Sequence, residues 1–180
     1  MFDSDYTING KHATYLKYLC DSKAFKRYID VYMTSAAVGV LNRRQGTVLP
    51  SADRARIYAD AFINEYIKCK ELFRTVILSE ELSDLTDEER INICFRYRDK
   101  KDEHAVPPIT DEEIQKMDEA FRLFNSYVLG GIEILYEAFT GSSTVGVDET
   151  IDYAYKAIFD QHTYIEDLRD DGENLFRPEY

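Results

Sequence analysis

Residues 111–139 read DEEIQKMDEAFRLFNSYVLGGIEILYEAF, and this stretch decides the fold. Ile114, Met117, Phe121, Phe124, Val128, Gly131, Leu135 and Ala138 recur at alternating steps of three and four. That spacing returns side chains to one face of an α-helix and is the pattern of a bundle seam. It predicts one long central helix, about 111–139. Gly130 and Gly131 stand in its interior, where each costs about 1 kcal/mol relative to alanine. A cost of that kind predicts close approach of another helix.

The segment expected to make that approach is a second helix over about Ser22–Arg44. Phe25, Tyr28, Ile29, Tyr32, Met33, Ala36, Ala37 and Val40 give it an apolar side. Its small residues Ser35, Ala36, Ala37 and Gly39 are expected to pack against Gly130 and Gly131. Arg43 and Arg44 fall in its polar last turn, and Gly46 is placed to end it. The apolar run Ala36–Leu41 is far shorter than the ~18 residues that span a bilayer.

Helical spacing continues elsewhere. A short first helix fits Lys11–Cys20, and Ser51 reads as the N-cap of a third helix reaching about Leu78. Thr86 and Thr110 each precede a glutamate by three residues, Glu89 and Glu113, which is the capping-box pattern. The first box opens a helix to about Lys101. Pro107 and Pro108 separate it from the central helix, and a last helix starts at Asp148. The expectation is an all-α, single-domain bundle of five or six helices within residues 1–170, with an acidic tail at 171–180.

Charge is unevenly placed along a chain whose net formal charge is −12. Residues 22–56 hold seven basic side chains, Lys23, Lys26, Arg27, Arg43, Arg44, Arg54 and Arg56, against Asp30 and Asp53. Residues 102–180 hold nineteen acidic and five basic side chains. Bulk acidity opposes nonspecific nucleic-acid binding, while a local basic face can still bind phosphates or a protein partner. The start of the chain lacks the basic and apolar pattern of a signal peptide. Cys20, Cys69 and Cys94 are odd in number, widely spaced and set among apolar residues, the usage of buried thiols in a reducing cytoplasm.

Catalytic and ligand signals are sparse. The loop Gly141–Gly146 has the outline of an anion loop, but Asp148 and Glu149 occupy the helix start where a phosphate would sit. Glu133 and Glu137 share a helix face, as do Asp148 and Asp152, and such pairs can hold a divalent cation. Solvated helix faces account for them as well, so no metal or other cofactor is assigned. His12, His104 and His162 are isolated from one another, and no nucleophile has a paired histidine.

These readings lead to a non-catalytic cytoplasmic interaction or regulatory protein that self-associates or binds a protein partner, with no membrane contact. Nucleic-acid contact through the basic N-terminal third is the alternative, as is an acidic half that imitates nucleic acid. A carboxylate-dependent helical metalloenzyme built on Glu133 and Glu137 is the third reading.

Overall fold

Six α-helices, one π-helical turn and one two-stranded sheet make up the described residues, 1–98 and 108–141, of the computed structural model. The helices are α1 (Lys11–Asp21), α2 (Tyr28–Leu41), α3 (Ala59–Asn64), α4 (Tyr66–Ser79), α5 (Asp87–Ile91) and α6 (Asp111–Gly141). The strands are β1 (Tyr6–Asn9) and β2 (Arg54–Ile57). The chain divides into two compact units, Met1–Tyr136 and Glu137–Tyr180, and of the second only residues 137–141 are described. The helix expected from Asp148, the 141–146 loop beyond Gly141, His104, His162 and the 171–180 tail lie outside the described residues.

The long helix is present as α6, of 31 residues. Met117, Phe124, Val128 and Leu135 of its seam are buried, as are Ala120, Tyr127 and Ile132 beside them. Around its middle sits an aromatic core. Phe2 lies 5.6 Å from Phe121 and 6.1 Å from Phe124, Tyr32 lies 5.3 Å from Phe62, and Phe73 lies 5.6 Å from Phe124. Edge-to-face and tilted pairs at these separations add to what the buried area itself contributes. Tyr32 is fully buried, and its hydroxyl donates to Asn125 Oδ1 at 2.9 Å, which removes the cost of an unpaired phenol.

Both capping boxes form. Thr86 Oγ1 accepts from the Glu89 amide while the Glu89 carboxylate accepts from the Thr86 amide at 3.0 Å. Thr110 and Glu113 repeat the arrangement at the start of α6. These reciprocal bonds satisfy amides that a helix start leaves without partners. Glu89 also binds Lys116 at 2.6 Å, tying α5 to α6. That ammonium is the main reason its carboxyl is pulled down to about 2.

Four sequence expectations need correction. Ser51 does not open a helix: residues 54–57 pair antiparallel with β1, in register Tyr6↔Ile57 and Ile8↔Ala55. Ile8, Ala55 and Ile57 are buried while Thr7, Arg54 and Arg56 face outward, the period-two pattern of a half-buried strand. The long third helix is therefore replaced by β2, α3 and α4. Second, α2 begins at Tyr28 rather than Ser22, because Lys23 takes a left-handed φ of 64° at the end of α1. Third, α2 ends at Leu41, and Gly46 does not terminate it. Arg44 N–H donates to the Gly39 carbonyl and Arg43 N–H to the Val40 carbonyl, a Schellman closure with Arg43 in the left-handed position at φ 49°. The helix after Thr86 is shorter as well, α5 passing into a π-helical turn at Asn92–Arg96 that is closed by Tyr97 N–H on the Asn92 carbonyl.

Candidate binding site

The glycine seam comes first, since it fixes α2 against α6. A Cβ on Gly131 would overlap the Ser35 carbonyl, one on Gly39 the Tyr127 carbonyl, and one on Gly130 the Arg44 carbonyl. Ser35 and Gly39 meet Gly131 and Tyr127 in reversed order, so the two helices run antiparallel with backbones touching. Gly46 continues the contact, its amide donating to the Ser126 carbonyl at 2.7 Å. Ala36 is buried and Ala37 half-buried, but the carbonyl contacts are made by Ser35, Gly39 and Tyr127.

The seven basic candidates do not form one free surface. Arg27 binds Asp30 at 2.6 Å and Glu65 at 2.9 Å, Arg43 binds Glu81 at 2.5 Å, and Arg44 binds Glu133 at 2.8 Å. Arg56 pairs with Asp5 and lies 5.4 Å from the Tyr58 ring. Only Lys23, Lys26 and Arg54 are left exposed without a carboxylate partner among the described residues.

Two buried polar clusters use up the carboxylates of greatest interest. Glu133 accepts from His12 Nε2 at 2.8 Å through one oxygen and from Arg44 through the other. His12 is fully buried, so this pair joins the start of α1, the end of α2 and α6. Glu80 accepts from Tyr127 Oη at 3.0 Å, from the amides of Leu82 and Ser83 and from the Ser83 hydroxyl, and Arg90 stands 3.3 Å away. Burial pushes the Glu80 carboxyl up, but these hydrogen bonds outweigh it and hold it below its ordinary value. No group of three metal-ligating side chains occurs among the described residues.

The three cysteines are free. Burial pushes each thiol up to about 11, so they are protonated at neutral pH and poor nucleophiles.

The feature that sequence reasoning missed is a cavity of about 330 Å³. Its inner lining is apolar: Phe2, Phe73, Ile93 and Met117 are all buried and all border it. Its rim is aromatic and basic. Tyr66 and Phe95 are exposed there by 44% and 59%, far more than core aromatics. Lys70 Nζ lies 5.9 Å from the Tyr66 ring, and the Arg74 guanidinium lies 5.0 Å from the Phe95 ring. The π-helical turn builds one wall. Its wide winding leaves the Cys94 carbonyl to accept from Arg74 Nε at 3.0 Å, which aims that guanidinium along the wall. Turns of this kind recur at functional sites. Lining residues come from residue 1 to residue 117, so no local motif marks them.

No family model, no curated protein and no solved structure matches this chain. None of the helices among the described residues is long and apolar enough to cross a membrane.

Proposed function

We propose that this is a non-catalytic cytoplasmic interaction protein that self-associates through one face of α3 and α4. The observation that carries the reading is the exposure of Ile63, Tyr66 and Ile67, at 55%, 44% and 76%, on successive turns. Large aliphatic side chains so exposed and so close together mark interaction surfaces more often than free ones. A second copy suits the face because its edge carries both signs, Lys68 and Lys70 beside Asp60 and Glu71, all exposed. A two-fold axis then sets cations opposite carboxylates, whereas the net charge of −12 disfavours unspecific association. Three free thiols suit a reducing compartment.

The same geometry moves the expected driving force from charge to apolar contact, since four of the seven basic candidates are neutralised within the chain. Light scattering is expected to give a dimer whose mass holds from about 0.1 to about 1 M salt, a range over which exposed charges are screened. The double variant Ile63→Glu, Ile67→Glu is expected to be a folded monomer. A monomeric parent protein, or a dimer that survives both substitutions, overturns the reading. Of the seven basic candidates for nucleic-acid contact, Lys23, Lys26 and Arg54 have no carboxylate partner among the described residues, and gel retardation at low salt tests that contact in the same preparation.

A further inference from the structure

We propose that the cavity bordered by α4 and the π-helical turn binds a small molecule with a flat apolar body and an anionic head. Its volume of about 330 Å³ falls at the lower end of small-ligand sites. The apolar interior accepts a ring-sized body, and the exposed rings of Tyr66 and Phe95 offer stacking edges at the mouth. The charge is the decisive part. In a chain with net charge −12, the described residues that border this cavity include three cationic side chains, Lys70, Arg74 and Arg98, and no carboxylate side chain.

Arg74 is already held, by Glu71 at 2.7 Å and by the Cys94 carbonyl. Lys70 and Arg98 have no carboxylate partner among the described residues. Two cations with no carboxylate partner among the described residues, beside an apolar chamber, favour a ligand that buries its body and leaves a carboxylate, phosphate or sulfonate between them. The site borders the self-association face and shares Tyr66 and Lys70 with it, but not Ile63 or Ile67.

Anilinonaphthalene sulfonate is a suitable fluorescent probe, and N-phenylnaphthylamine is its neutral counterpart. The sulfonate is expected to bind at one site and to be displaced by phenyl phosphate or phenylacetate but not by benzyl alcohol. The more effective of the two anions identifies the head group. The double variant Lys70→Gln, Arg98→Gln is expected to weaken the sulfonate about tenfold or more while leaving the neutral probe unchanged. Lys23→Gln with Lys26→Gln removes the same charge elsewhere and is expected to change neither. Ile63→Glu with Ile67→Glu is expected to retain the site, which separates it from probe adsorbed on the exposed apolar face. Equal losses in the two lysine-bearing variants, equal displacement by benzyl alcohol, or loss of the site in the Ile63, Ile67 variant overturns the proposal. Circular dichroism confirms that each variant is folded.

Discussion

Gly131 of α6 rests against the carbonyl of Ser35 in α2, with no room between them for a methyl group. The contact lies inside both helices and is backed by Gly39 against Tyr127, so neither backbone can yield alone. Gly131→Ala gains helix propensity of about 1 kcal/mol in isolation. Overpacking of a filled interior costs about 1–3 kcal/mol and outweighs it. The expected result is a lower melting temperature for Gly131→Ala and a larger drop for Gly131→Leu, measured by thermal unfolding followed in the far ultraviolet.

Arg43 gives the opposite expectation. It holds a left-handed φ of 49° that glycine adopts without strain, and its ion pair with Glu81 is exposed on both sides. Left-handed backbone costs a side-chain-bearing residue on the order of 1 kcal/mol, while exposed ion pairs contribute less. Arg43→Gly is expected to stabilise the protein by about 0.5 kcal/mol or more, read as a higher urea midpoint.

Glu80 and Arg90 form a buried pair, and breaking such a pair by removing one charge costs about 3–5 kcal/mol. Glu80→Gln is expected to lose that much at neutral pH. The carboxyl of Glu80 is held below its ordinary 4.5, so its contribution is complete above about pH 4.5 and disappears as pH falls through the lower folded value. The gap between parent and variant should therefore narrow in acid, as urea titrations at neutral and acid pH will show. A gap that stays constant would assign the loss to shape rather than charge.

The thiols give a prediction independent of any mutation. With values near 11, only about one thiol in ten thousand is ionised at neutral pH. Cys69 and Cys94 are buried and Cys20 half-buried. Mass spectrometry after a brief exposure to an alkylating reagent is expected to find Cys20 labelled slowly and first. Full labelling of all three is expected only in denaturant.

The long helix α6 and both capping boxes are legible because they depend on residues three or four apart, and such rules act within one element. The strand at Arg54–Ile57 carries its own signal, Arg-Ala-Arg-Ile in strict alternation, but four residues set between helical patterns are easily absorbed into a neighbour. Arg43 hides the end of α2 because an arginine stands where glycine is the usual sign. The cavity is invisible for a different reason. Phe2, Lys70, Phe95 and Met117 become neighbours only after the helices pack, and no spacing along the chain records that.

The seam between α2 and α6 has a consequence for tracing kinship. Positions where a methyl group would strike a carbonyl restrict spelling far more than a core that tolerates any apolar residue of suitable volume. Gly39, Gly46 and the pair Gly130-Gly131 therefore form a sparse signature imposed by backbone geometry. A distant chain that carries these letters at these intervals, ahead of and within a long helix, would be a candidate for the same crossing even where the rest of its sequence has diverged.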